Sequence, residues 1–325
     1  MSADSSPHSP PDLPRPLNVA FVGAGPTGRA HVLAFRDVPG VRLAGIMNRS
    51  RAKAEAAAAE IGIESVHDSI AELYDKTHAD LVVVTVSILS ARAVLQECLA
   101  HPWAILVEKP PGIDMTEAED LLSEARRRGA RIYVAMNRRA MSSTRQVIDD
   151  LTDNAERRFI QVCGQEDCER LATVHPPEVV SRAMFANSIH CIDYLRIFGR
   201  GEITDIQVAG RWDPVAKTPV SAWITFSSGD IGSYIGVWDA PSPWSVSVTT
   251  ASRRWEMRPL EKAALQMRGQ FTLTPQEPHE WDRLYKPGFR WQAEQVTRAV
   301  HGLPNQAVTL DDAVATMDLI DRIYS

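Results

Sequence analysis

The chain has only four cysteines, at 98, 163, 168 and 191, too few and too scattered for a disulfide framework. Cys163 and Cys168 lack CxxC spacing and a paired histidine, which argues against a zinc site. Long apolar runs are missing too. Stretches such as Leu81–Val84 and Ala104–Val107 fall far short of the ~18 residues that a membrane helix needs. There is no excess of basic charge: the net charge of −6 gives no general attraction to nucleic acid. Met1–Pro16 lacks a positive start and an apolar stretch, so it does not read as a signal peptide. Its prolines and serines predict a disordered tail instead. The expectation is a reduced, cytoplasmic protein without nucleic-acid or membrane partners.

What is present is a globular composition, 44% hydrophobic and 23% charged over 325 residues. That length suits two domains at roughly 150 residues each. From Leu17 to Asn137, short apolar runs alternate with helical stretches, the βαβ signature of a parallel sheet. Candidate strands are Leu17–Val22, Val41–Met47, Leu81–Val86, Trp103–Val107 and Arg131–Ala135; candidate helices are Arg29–Arg36, Arg51–Ile61, Ala91–Leu99 and Thr116–Arg127. Beyond this, Ala222, Ile224 and Phe226, then Trp244, Val246 and Val248, then Trp255 and Met257, alternate with polar neighbours. Period-two patterning between turn residues such as Ser228–Asp230 and Pro241–Pro243 predicts a largely antiparallel sheet with one wetter face. Two helical patterns close the chain, Phe289–His301 and Leu310–Tyr324, the second with Thr309 as its cap. The fold expected is α/β: a doubly wound Rossmann domain over 17–137, an α+β domain with an open sheet over 138–308, and a final helix at 309–325 packing back on the first domain.

Gly23-Ala-Gly-Pro-Thr-Gly28 is a GxGxxG placed after an apolar strand and before a helix. Gly23 permits the tight turn, Gly25 lets backbone approach a pyrophosphate, and Gly28 lets helix pack on strand. The following helix would offer its free N–H groups and positive dipole end to the phosphates, with Pro26 and Thr27 also expected to bind the cofactor. Near the end of the second strand, where an acid usually marks NAD, the chain reads Asn48-Arg49-Ser50-Arg51. An acid would repel a 2′-phosphate, whereas arginine and a hydroxyl attract it, so NADP is favoured over NAD.

Glu108-Lys109-Pro110 ends the candidate strand Trp103–Val107, which brings Lys109 to the carboxyl edge of the sheet, where open α/β folds bind ligands. A lysine there can hydrogen-bond a reacting oxygen and assist its proton transfer. Downstream, Ala186–Leu195 reads as a helix with Phe185, Ile189, Ile192 and Leu195 on a core stripe and His190 on its flank, beside Asn187, Asp193 and Tyr194. His190 is either a satisfied buried imidazole or a general acid/base. Asn137, Arg138 and Arg139 follow the last strand of the first half and line a cleft or form an interdomain salt-bridge hinge. Tryptophans 212, 223, 238 and 255 stack on sugar rings or pack the sheet, with packing favoured.

Together these motifs resemble the glucose–fructose oxidoreductase, inositol dehydrogenase and MocA (Gfo/Idh/MocA) family. The carriers are the GxGxxG, Thr85-Val86-Ser87, Leu106–Gly112 (LVEKPPG), Met136–Arg139 (MNRR), His190–Asp193 (HCID) and Thr309–Ala313 (TLDDA). The resemblance implies hydride transfer between a nicotinamide and a sugar, nucleotide-sugar or inositol-like alcohol or ketone, in a homodimer or homotetramer. It implies that Lys109 contacts the reacting oxygen, that His190 is catalytic, and that Thr85, Val86, Ser87, Ser90, Glu108 and Lys109 itself lie along the cofactor. Asn137, Arg138 and Asn187 would then touch substrate. Two positions depart from the pattern. Members with an Asp–His pair carry the acid four residues before the histidine, where this chain has Ala186, and a frequent family histidine is Ser90 here. Those departures motivate an alternative, a catalytically weak dinucleotide-binding regulator or sensor; a third possibility keeps the fold and uses the cofactor for transient oxidation within an elimination or hydrolysis.

Overall fold

The computed structural model describes residues 14–63, 65–241 and 244–325. The expected tail therefore lies outside the described residues except for its last three, and so do two residues of the 241–243 turn.

Six strands form the first sheet: β1 (Leu17–Val22), β2 (Val41–Met47), β3 (Val66–His67), β4 (Leu81–Val84), β5 (Ala104–Glu108) and β6 (Ile132–Ala135). All pair in parallel, in the order β3-β2-β1-β4-β5-β6. This is the doubly wound arrangement, whose order reverses between β1 and β4 and opens a crevice at their carboxyl ends. Leu81–Val84 is buried throughout, as a strand covered on both faces must be. The first helix starts at Pro26, three residues before the patterning suggested. Proline at the first helical position has no N–H to leave unsatisfied, and apolar periodicity does not register it.

The second sheet has eight strands: β7 (Phe159–Glu166), β8 (Ile203–Ala209), β9 (Val220–Phe226), β10 (Ile231–Trp238), β11 (Ser245–Thr249), β12 (Arg253–Met257), β13 (Ala263–Met267) and β14 (Thr274–Pro275). Their order is β14-β13-β12-β11-β7-β10-β9-β8, and every pair except β7–β10 is antiparallel. Ile160, Val162, Ile224, Tyr234, Val248 and Met257 point into the core, while Val208, Trp223 and Ile235 are exposed. The inner face lies on the helix Ile189–Phe198, which also meets the last helix, Leu310–Tyr324.

That last helix has a complete capping box: Asp312 N donates to Thr309 Oγ1, and Thr309 N donates to the Asp312 carboxylate. It packs on the helix Met115–Arg128 and on Ile189–Phe198, tying both sheets together. Helix Phe289–Val300 crosses back to the first sheet, where Phe289, Ala293 and Val296 share a core with Val19, Phe21 and Phe35. Among the described residues, no helix is long and apolar enough to cross a membrane.

Candidate active site

The crevice is built first by glycine. Gly23 follows β1 with φ +109°, and a Cβ there would collide with the Thr85 carbonyl. Thr85 N donates to Val22 O at 2.8 Å, which holds that carbonyl in place. At Gly25 the situation is opposite: an added Cβ meets nothing within 4 Å. The backbone at Gly25 thus faces open space, and the following helix has its first-turn N–H groups free of any acidic side chain. This is what a pyrophosphate cradle requires.

The residues after β2 divide their work. Asn48 Oδ1 accepts from Ala24 N at 3.2 Å and its Nδ2 donates to Ser50 O at 3.1 Å, so Asn48 braces the glycine turn. Arg51 is held by Glu55 and by Asp68 at 2.6 Å. Arg49 is exposed and forms no ion pair among the described residues. Ser87 and Ser90 bond each other at 2.8 Å across the start of the helix Ile88–Cys98.

Glu108 accepts from His31 Nε2 at 2.7 Å. Burial pushes the Glu108 carboxyl up, but His31, Lys109 and Lys286 outweigh it and hold it below its ordinary range. Next to it, Lys109 Nζ donates to Ala186 O at 2.7 Å. Burial pulls the ammonium below its usual value; Lys286 and Arg138 add to this, and Glu108 and Glu166 oppose it.

The segment that receives Lys109 departs from the helix expected over 186–195. Met184–Ser188 is a π-helical turn, and regular α-helix begins only at Ile189. The core stripe Phe185, Ile189, Ile192 and Leu195 is buried as its spacing implies. His190 is 6% exposed, and its Nδ1 has no hydrogen-bond partner among the described residues. Burial, reinforced by Lys109, Arg138 and Lys286, holds its pKa well below the ordinary value, so the ring is neutral at pH 7.

The three residues after β6 separate. Asn137 Nδ2 donates to Pro287 O at 3.0 Å. Arg138 pairs with Glu261 at 2.5 Å and lies over the Trp244 ring, 5.4 Å from its centroid. Arg139 turns away from the cleft and grips Asp193 with two bonds of 2.6 Å; Thr316 Oγ1 donates to the same carboxylate at 2.7 Å. Arg139 is therefore structural, and Asp193 has no bond to His190. Trp212, Trp238 and Tyr324 form one aromatic cluster, Trp255 is buried, and Trp223 sits on the outer sheet face.

A cleft of about 510 Å³ joins these parts. Its walls include Gly25, Pro26 and Thr27 from the first loop; Thr85, Val86 and Ser87 after β4; Glu108, Lys109, Asn137 and Arg138; and Asn187 and His190 from the second half. Gly23, Gly28, Asn48, Arg49, Ser50 and Ser90 are not on these walls. Trp244 and Lys286 also line it, and neither follows from a motif. A recess of about 760 Å³ adjoins at Trp244, walled by Asp167, Asp239 and Arg258 and removed from the glycine turn. Glu166 lies behind the cleft at the end of β7. Its signal was present in the sequence: Ile160, Val162 and Glu166 share one strand face, so a carboxylate sits where the pattern is apolar.

Comparison with known proteins agrees with this fold. D-apiose dehydrogenase of Paraburkholderia graminis is 24% identical over 136 residues, 42% of this chain and 36% of that relative. The match thus spans little more than a third of the relative's length. A dehydrogenase from Chromobacterium violaceum superposes with a TM-score of 0.78 at 19% identity, covering 95% of this chain and 94% of that one. UDP-N-acetylglucosamine 3-dehydrogenase from Acidithiobacillus ferrooxidans gives 0.75 at 16% identity, over 94% and 96%. At such identities the superpositions show the fold. The sequence profile of the oxidoreductase family with NAD-binding Rossmann fold matches residues 17–136. Residues 17–136, which carry the glycine turn and the β3-β2-β1-β4-β5-β6 sheet, are thus similar to the NAD-binding Rossmann domain of the Gfo/Idh/MocA oxidoreductase family.

Proposed function

We propose that the protein is an NAD(P)-dependent oxidoreductase acting on an alcohol or carbonyl of a sugar, nucleotide-linked sugar or inositol-like compound. The observation that carries this reading is the convergence of a glycine turn with open backbone, Lys109 and His190 on one cleft. Gly25, Pro26 and Thr27 would hold the pyrophosphate of a nicotinamide dinucleotide, with Thr85, Val86, Ser87 and Glu108 along its length. Bound there, the dinucleotide supplies or takes up the hydride.

This chain's residues handle the oxygen and its proton. In the reducing direction Lys109 donates a hydrogen bond to the carbonyl oxygen and gives its proton as negative charge develops. A lysine pKa pulled down by burial makes that transfer easier. Neutral His190 holds the same oxygen from the second half, and Asn187 and Arg138 take substrate hydroxyls. The proton donor must be protonated beforehand, so kcat/KM for reduction should fall as pH rises through the Lys109 pKa, below the ordinary lysine range. No limb from His190 should appear at the usual histidine value, because that ring is already neutral there. A limb near 6.5 that His190→Ala removes would contradict this assignment.

NADP is the preferred cofactor in this reading. Arg51 is committed to acids, whereas Arg49 and the Ser50 hydroxyl remain for a 2′-phosphate. Arg49→Ala should weaken NADPH about tenfold, or ~1.4 kcal/mol, and leave NADH unchanged in a fluorescence titration. An equal effect on both would place Arg49 elsewhere. The exposed apolar residues Val208, Trp223 and Ile235 suit a second copy of the chain, consistent with a homo-oligomer. The reaction is tested by following NADPH oxidation with aldoses, keto-sugars and UDP-linked sugars. Binding without turnover on the whole panel would favour a sensor, for which Ala186 in place of an acid is the motive.

A further inference from the structure

Glu166 ends β7, and neither the hydride nor the proton step described above uses it. It is 3% exposed and is not a wall of the cleft. Its carboxylate receives two donors from one short segment, Asn187 Nδ2 at 2.7 Å and the Ser188 hydroxyl. The residue just before them, Ala186, takes Lys109 Nζ on its carbonyl at 2.7 Å. All three belong to the π turn Met184–Ser188, a distortion that often marks functional sites. Three consecutive residues thus join the cleft lysine to a buried acid.

An apolar side chain would continue the strand face of Ile160 and Val162 without a desolvation penalty. A carboxylate there needs a reason. Burial pushes Glu166 up to about 7, and the donors Asn187 and Ser188 and then the Lys109 charge work against this. The other titratable groups facing it are Cys191 from the helix Ile189–Phe198, Tyr234 from β10 and Tyr324 from the last helix. Burial raises all three, so they are neutral at pH 7 and Lys109 is the one cation among these groups. Lys109 in turn faces Lys286 and Arg138, which oppose its charge, and Glu108, which is bonded to His31.

We propose that Glu166 is a positioning acid, held by the π turn through Asn187 and Ser188, that acts beside Glu108 as a second, buried counter-charge keeping Lys109 protonated where this chain has no acid at position 186. The inference rests on the reading of Lys109 as the proton donor.

The test needs neither substrate nor cofactor. The full chain is treated with trinitrobenzenesulfonate over a pH series, and modification of the Lys109 peptide is followed by mass spectrometry. Glu166→Gln keeps the shape and removes the charge; its amide oxygen can accept from Asn187 Nδ2 while its amide nitrogen donates to the Ser188 hydroxyl, which turns from donor to acceptor. It should accelerate Lys109 modification about three- to tenfold near neutral pH, the effect of lowering the amine pKa by roughly half to one unit. Exposed Lys53 and Lys262 should react as in the unaltered protein, and Glu166→Asp should restore most of the original Lys109 rate. An unchanged Lys109 rate in folded E166Q would overturn the proposal. Equal acceleration at every lysine, or failure of both E166Q and E166D to fold, would do the same by making Glu166 a structural group. Absence of turnover on any sugar, by contrast, would refute the oxidoreductase reading and leave the Lys109 chemistry to be judged on its own.

Discussion

Lys109→Ala should lower turnover by at least ~10²-fold, the low end for a lost acid/base group, while dinucleotide affinity stays within a few-fold. The split follows from where the side chain lies. Lys109 directly follows β5 and is not part of the glycine turn; its Nζ is directed to Ala186 O, at the entrance to the second half. Removing it takes away the group proposed as proton donor and leaves Gly25, Pro26 and Thr27 as they are. His190→Ala should cost less, because a neutral imidazole with no acid to orient it contributes a hydrogen bond and little charge. Rapid-mixing kinetics of NADPH oxidation, with NADPH titrated separately, would separate the two effects. Turnover of Lys109→Ala within a few-fold of the unaltered protein would remove lysine from the reaction.

Arg139→Ala should destabilise the fold by about 3–5 kcal/mol. Asp193 is 1% exposed, and its carboxylate is met by both arms of Arg139 and by Thr316. Without the guanidinium, the buried carboxylate keeps one hydroxyl donor and only the charge of Arg196, which is bonded to Thr316 and not to the carboxylate itself. Because the pair joins the turn after β6 to the helix carrying His190, the loss should also loosen the cleft. The neighbouring Arg138 provides the control. Its partner Glu261 is partly solvated, and such pairs are worth about 0–1 kcal/mol, so Arg138→Ala should alter substrate KM far more than stability. Urea unfolding of the two variants distinguishes them; a shift under 1 kcal/mol for Arg139→Ala would mean that the bidentate pair is not what holds this joint.

The sequence shows the first sheet almost completely. Continuous apolar runs such as Leu81–Val84 can only be strands buried on both faces, and GxGxxG places the turn between β1 and its helix. Helix starts are less visible, because Pro26 and Thr27 carry no apolar period. In the second half, alternation marks β9, β11 and β12, but the parallel pairing of β7 with β10 is set by long-range packing. The π turn at Met184–Ser188 is hidden for a related reason: one extra residue per turn scarcely disturbs the Phe185–Ile189 stripe. Of the cleft, the residues on motifs are legible. Lys286 and Trp244 are not, since each arrives on a loop or strand edge whose position depends on the whole fold. Arg138 and Arg139 look equivalent in sequence; only the structure shows that one faces the cleft and the other is consumed by Asp193.

The most direct test of the central claim, that this cleft holds a nicotinamide dinucleotide, is a titration of the purified protein with NADPH and with NADH, read by tryptophan emission. Trp244 lines the cleft and provides the signal. Saturable quenching by both, with NADPH tighter by about tenfold, is expected. Quenching by NADH alone would keep the enzyme and turn Arg49 away from the ribose. Binding of neither would contradict the functional reading at its root, and the glycine turn would then be architecture only.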